Sequence, residues 1–274
     1  MKLLLGFCLA VALIYLLICV FVYFRQEKLI FKPVQLPANH QFKFKNKFEE
    51  LFIKSSDGKL LNGLLFKIEQ PKGLILYLHG NIGSLNSWGE VPKNYINLGY
   101  DIFIYDYRSY GKSEGQIKNQ QQLFDDNQIL YNEMKKIYSE NSITILGHSL
   151  GSGMAAKLAS ENQPKSLILI TPYYSMSNMV KSLYPYLPVF LLKYKLETYK
   201  FLKKCKMPVI IFHGDKDDLV PYDHSVRLMD VLKSDDRLIT LKNQDHYRIN
   251  DSEDYRNALK EVLHELNNEN RVLK

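Results

Sequence analysis

Residues 145–153 read ILGHSLGSG. An apolar run ends at Gly147, a serine follows two residues later, and Gly151 lies at the start of a helix-like stretch, LGSGMAAKLAS over 150–160. Gly147-His148-Ser149-Leu150-Gly151 fits G-x-S-x-G, a sharp strand-to-helix turn that holds its serine strained and exposed above the end of a sheet. Chain passes so close to such a turn that side chains two residues either side of the serine would collide, which accounts for both glycines. An ordinary glycine-rich turn is the plainer alternative. The strand before and the helix after favour the nucleophile-bearing turn, with His148 packed beneath it.

Working outward, short and nearly continuous apolar runs occur at 73–79, 101–105, 142–146, 166–170, 208–212 and 237–241. Runs that barely alternate mark strands buried on both faces. Segments with helical spacing lie between them, at 118–138, 150–160, 222–233 and 252–266. Alternating strands and helices predict a mostly parallel central sheet with helices on both faces. Residues 51–55 and 59–68, joined at Asp57-Gly58, predict an antiparallel pair leading into it. The long gap between the strands at 166–170 and 208–212 predicts a small helical cap over 172–207, rich in tyrosine and lysine.

Ligands of open parallel sheets bind beyond the carboxyl ends of the strands, where Ser149 would lie. A serine hydroxyl needs a base to take its proton, and the base needs an orienting carboxylate. On this kind of sheet the chain order is Ser, then Asp or Glu, then His. After 208–212 come Asp215, Asp217 and Asp218. Asp217 is the preferred carboxylate, with Asp215 shaping the turn and Asp218 starting the Val220-Pro221 bend in solvent. His246 follows the last strand and is the expected base. His79 and His213 end strands and are expected as packed supports, and His224 is expected on a helix surface. The oxyanion donors would be the amides of Leu150 and of Asn81, in the loop His79-Gly80-Asn81-Ile82-Gly83-Ser84. No His/Cys/Asp/Glu grouping has metal-ligand spacing, and this chemistry requires neither metal nor cofactor.

The first residues are of a different kind. Residues 3–24 carry no charge. As a helix they would be about 33 Å long, enough for a hydrocarbon core of about 30 Å. The run is longer than a secretory leader's apolar region and has no small-residue exit, so an uncleaved single-pass anchor over 1–25 is expected, then a basic juxtamembrane segment over 26–48 and a catalytic domain over 49–274. Arg25, Lys28 and Lys32 beyond the run, against Lys2 before it, favour a cytoplasmic catalytic domain. The net charge of +7 is concentrated: 25–47 carry +5 and 172–207 carry +6. That pattern suits anionic lipid headgroups. Nucleic acid is not an expected partner, since no nucleic-acid motif accompanies the charge. Cys205 is the one cysteine after the apolar run, so no disulfide can form within that part.

Five motifs in order, LHGNIGS, YDYRSYGKSEG, GHSLGSG, HGDKDDLVP and DHY, resemble the Bem46-like branch of the α/β-hydrolase superfamily over residues 50–266. That branch includes membrane-anchored proteins with one N-terminal span. The resemblance implies the α/β-hydrolase fold, a Ser149–Asp217–His246 triad, and Asn81 with Leu150 as oxyanion hole. Two positions depart from the branch. Ser109 stands where it usually has glycine, and Asp245, where it also has glycine, places a carboxylate that could raise the pKa of His246. The resulting expectation is a serine hydrolase of esters or thioesters acting on small-molecule or lipid-like acyl substrates at a membrane surface. A peptidase or amidase of the same fold and a catalytically idle membrane scaffold are the alternatives. An aminopeptidase would need acidic residues on the inner face of the cap, where the sequence offers Glu197.

Overall fold

The computed structural model describes residues 1–272, with side chains described as far as residue 268. In chain order its first elements are α1 (Lys2–Ile30), β1 (Lys32–Pro33), β2 (Phe48–Lys54), β3 (Leu60–Phe66), β4 (Leu74–Leu78), β5 (Ile82–Gly83), α2 (Leu85–Trp88), α3 (Lys93–Ile96) and β6 (Asp101–Tyr105). There follow α4 (Gln120–Lys135), β7 (Ile143–His148), α5 (Leu150–Glu161), β8 (Ser166–Ile170), α6 (Met176–Leu183) and α7 (Thr198–Leu202). The chain ends with β9 (Val209–Gly214), α8 (Asp223–Met229), β10 (Arg237–Leu241) and α9 (Glu253–Val272).

Eight strands form one sheet in the order β10-β9-β8-β7-β4-β6-β3-β2. Pairing is antiparallel for β2–β3 and β3–β6 and parallel from β6 through to β10. The mostly parallel sheet, the leading hairpin and the flanking helices match the expected α/β-hydrolase architecture. The uninterrupted apolar strands have a simple cause. In β4, Leu74, Leu76 and Leu78 point into the layer shared with α4, α5 and α7, while Ile75 and Tyr77 point into the layer closed by α9 and the α2–α3 segment. Successive side chains face opposite sides of a strand, so a sheet covered on both faces must be apolar at every position.

The predicted cap is partly helical. Between β8 and β9 the chain forms α6, one 3-10 turn at Val189–Leu191, and α7, with irregular chain between. Pro185 and Pro188 interrupt helical continuation there.

At the other end, α1 runs 29 residues. It is the helix long and apolar enough to cross a membrane among the described residues. Beyond it the chain lies on the α/β domain. Phe31 and Phe42 are buried in the core, and β1 pairs in parallel with β5. That small sheet ties the exit of α1 to the loop after β4.

Candidate active site

Ser149 has φ 50° and ψ −115°, a left-handed backbone conformation that costs an L-residue roughly 1–3 kcal/mol. The surroundings enforce it. A Cβ on Gly151 would lie 2.2 Å from the Leu78 carbonyl oxygen, and one on Gly147 would lie 2.6 Å from the Ala155 Cβ. Gly151 therefore lets α5 start directly against β4, and Gly147 lets the first turns of α5 lie against β7. The strain turns the Ser149 side chain away from the sheet toward the loops that follow β9 and β10.

Those loops deliver the other groups. His246 Nε2 is 3.1 Å from Ser149 Oγ, and His246 Nδ1 is 2.7 Å from Asp217 Oδ2. An ionised carboxylate only accepts, so Nδ1 carries the proton and the Nε2 lone pair faces the serine hydroxyl. Asp217 Oδ1 accepts the amides of Leu219 at 3.0 Å and Val220 at 2.7 Å. Burial alone would raise the Asp217 pKa. Hydrogen bonds from His213, His246 and the Val220 amide outweigh it and hold the carboxyl well below its ordinary range. The carboxylate therefore stays charged beside the His246 ring.

His213 braces this arrangement. Its Nδ1 lies 2.6 Å from the Ser225 hydroxyl, and its Nε2 lies 2.9 Å from the Val220 carbonyl and 3.2 Å from Asp217 Oδ2. With the Ser225 hydroxyl donating to Nδ1, the Nε2 proton faces the carboxylate.

The other candidates fall into place around the three. Asp215 accepts the Asn243 amide, pinning the β9 and β10 loops to each other, and Asp218 is exposed. Asp245 accepts the amides of Tyr247 and Arg248 at 3.0 Å each, which commits its carboxylate to the turn holding His246. His148 is buried under the elbow against Tyr77 and Trp88. Burial, reinforced by the charge of His246, pushes its pKa down to about 3. His224 is buried rather than on a helix surface, and its Nδ1 accepts the Tyr174 amide at 3.0 Å. Burial and the neighbouring Arg227 push it down to about 4. Ser109 has φ 70°, in the left-handed region that favours glycine.

Asn81 and Leu150 line the same cavity as Ser149. The Leu150 amide is the first of α5, where the helix offers no carbonyl partner. Asn81 is held from three sides. Its carbonyl accepts the Tyr110 hydroxyl at 2.6 Å and the Lys32 amide at 2.9 Å, and its Nδ2 donates to the Ile30 carbonyl at 3.1 Å. The last turn of α1 is thus bonded to the loop expected to stabilise an oxyanion.

The cavity measures about 680 Å³ and is mostly apolar, within the range of about 300–1,000 Å³ usual for small-molecule sites. Tyr173, Met176, Met179 and Leu192 of the cap form one side, and Leu219 and Val220 another. The remaining side is α1 itself, from Ile18 to Ile30. Lys28 and Lys32 are the charged residues at its wall, and among the described residues no carboxylate lines it. Sequence reasoning missed this wall. No sequence signal marks it, because Gln26 and Glu27, polar groups just past the apolar run, suit open water equally well; the structure buries Gln26.

A family model described as serine aminopeptidase, S33, matches residues 69–200. Protein bem46 of Schizosaccharomyces pombe is 28% identical over 196 residues, covering 68% of this chain and 66% of that protein. The zebrafish (Danio rerio) lysophosphatidylserine lipase ABHD12 is 31% identical over 179 residues, covering 58% of this chain and 47% of the lipase. The match thus spans under two thirds of either relative's length. Among solved structures, the Pyrococcus furiosus esterase Pf2001 superposes with a TM-score of 0.68 at 18% identity, over 86% of this chain and 97% of the esterase, a likeness of fold.

Proposed function

The chain belongs to the Bem46-like branch of the α/β-hydrolase superfamily, and we propose that it is a membrane-anchored serine hydrolase of carboxylic esters or thioesters with apolar acyl groups. The observation carrying this reading is a cavity that begins at Ser149, is walled by aliphatic and aromatic side chains, and holds lysines but no carboxylate among the described residues. In the proposed reaction Ser149 Oγ attacks the acyl carbon while its proton passes to His246 Nε2. Asp217 stabilises the imidazolium so formed. The amides of Leu150 and Asn81 receive the oxyanion, a contribution of roughly 3–4 kcal/mol for each such donor. Collapse breaks the bond to the alcohol or thiol, which leaves with the His246 proton. Water, deprotonated by His246, then attacks the acyl-enzyme, and Ser149 recovers its proton as the acid departs.

Anchoring through residues 3–24 is part of the proposal. Gln26, Glu27 and Ile30 at the exit of α1 bond to the catalytic domain, contacts that a cleaved leader would take away. The charge balance around α1 favours the cytoplasmic side.

One observation favours a second reading, aminopeptidase, namely the description of the matching family model. A peptide α-amine calls for a carboxylate facing the serine, and Glu197 is instead paired with Lys200 at 2.8 Å. Purified protein in detergent, assayed on p-nitrophenyl esters and aminoacyl anilides, tests the choice. Ester cleavage lost in Ser149→Ala supports the proposal; cleavage of the anilides alone overturns it in favour of the peptidase. No turnover of either, with no Ser149-dependent fluorophosphonate labelling, leaves the idle scaffold.

A further inference from the structure

The cavity at Ser149 runs along α1. Near Ser149 it is lined by Lys28, Leu29 and Ile30, beside Asn81, and at its far end by Ile18. Ile30 to Ile18 is twelve residues, about 18 Å of helix. The far rim lies on the surface, since Ile18, Phe21, Leu183 and Tyr184 line the cavity and are also exposed.

The depth of that rim is set by a hydrogen bond. The Tyr15 hydroxyl donates to the Tyr186 carbonyl at 2.7 Å, which places the tip of the cap beside a residue nine positions inside the uncharged run that ends at Phe24. Nine residues are about 14 Å of helix, close to the roughly 15 Å depth of one hydrocarbon leaflet. The tip is apolar to match, with Tyr186 86% and Phe190 79% exposed. Surfaces of this kind facing water would be an aggregation liability, whereas facing lipid they are at home.

The helix is fixed in place as a wall. The buried Gln26 side chain donates to the Leu191 carbonyl at 2.7 Å and accepts the Lys193 amide at 2.9 Å. Glu27 takes the Lys193 ammonium and the Tyr194 hydroxyl, both at 3.0 Å. With the Asn81–Ile30 bond, these contacts hold α1 against both the cap and the loop at the serine.

We infer that α1 is one wall of the acyl-binding site and that the cavity is a lateral portal, through which the acyl chain of a bilayer-resident ester or thioester slides between α1 and the cap to bring its carbonyl to Ser149. This inference rests on the acyl-hydrolase reading. The substrate need not leave the bilayer, because Lys28 and Lys32 lie at headgroup level beside the serine while the chain keeps apolar neighbours throughout.

The test uses the full chain in lipid nanodiscs and a long-chain alkyl fluorophosphonate with a photoreactive diazirine at the chain end. Ser149 Oγ displaces fluoride from phosphorus, so the chain is tethered at the serine before illumination. Crosslinks from labelled Ser149 to residues 18–22 or 183–187 are the expected result; crosslinks confined to other segments overturn the portal. If a short-chain fluorophosphonate labels Ser149 and the long-chain one does not, the portal fails while the hydrolase reading stands. Labelling by neither overturns the hydrolase reading itself. In parallel, Val22→Trp should lower the long-to-short acyl ratio of kcat/KM by about tenfold or more, the scale of a misfitted apolar contact. Leu13→Trp, on the same helix but outside the cavity, should leave that ratio unchanged. An unchanged ratio in Val22→Trp speaks against the wall.

Discussion

Beneath Ser149 lies the sheet: β7 and β9 are buried on both faces, and the loops carrying Asp217 and His246 are tied together by bonds such as that from the Asn243 amide to the Asp215 carboxylate. Across the cavity, α1 and the segment from Met176 to Leu192 leave many apolar side chains exposed and meet through a few polar contacts, those of Gln26 and Glu27 chief among them. The proposed catalytic groups need positions held to fractions of an ångström, and a strained elbow over a packed sheet suits them. The proposed acyl side needs apolar area and access, which a helix and a loosely joined cap would supply. On this proposal chemistry and selectivity fall to differently packed parts of the chain, so perturbing each should give a different signature.

The largest effect belongs to the sheet side. Ser149→Ala should lower kcat on the order of 10⁶-fold, with ester turnover and fluorophosphonate labelling as the readouts. Asp217→Asn should cost about 10⁴-fold by admitting the wrong imidazole tautomer. A variant with near-normal turnover would show that the Asp217–His246 contact is not part of the reaction.

The elbow's surroundings should also make stability depend on pH. His148 and His224 are held near 3 and 4 in the folded chain, against about 6.5 when unfolded. Unfolding therefore takes up protons between those values. Stability should fall as pH drops below about 6.5, by up to about 3 kcal/mol per pH unit near pH 5 when both contribute. Urea midpoints across this range measure the slope, and His148→Gln should remove about half of it.

Smaller effects belong to the opposite wall. Gln26→Ala leaves the Leu191 carbonyl and Lys193 amide without this partner, at a cost of about 1–3 kcal/mol. Faster hydrogen exchange over 187–193 and a raised KM for long-chain esters are expected, with exchange beneath the elbow unaffected. Equal loosening of both regions would erase the distinction between the walls. Smallest of all, Glu197→Gln should leave ester turnover and Tm unchanged, because its pair with Lys200 lies on the surface.

Much of the sheet side was legible beforehand because its signals are local. Strands covered on both faces are apolar nearly throughout, and the runs at 101–105 and 166–170 coincide with the fully buried β6 and β8 residue for residue; the run at 237–241 coincides with β10, a partly buried edge strand. Gly151 reported a close approach by β4, and Gly147 one by the first turns of α5, that the structure then shows. His224 was misjudged because its burial depends on the Tyr174 amide, fifty residues away in the chain.

The amino-acid sequence by itself determined the alternation of strand and helix, the serine elbow, the order of acid and base behind it, and the uncharged run at the start, since periodicity, glycine placement and charge act over a few residues. Tertiary structure alone decided that the exit of α1 bonds to Asn81, that Gln26 is buried against the cap, and that the run forms a side of the cavity. Those contacts join residues about 50 to 170 positions apart, between groups whose local sequence would suit water or lipid equally well, and only packing brings them together.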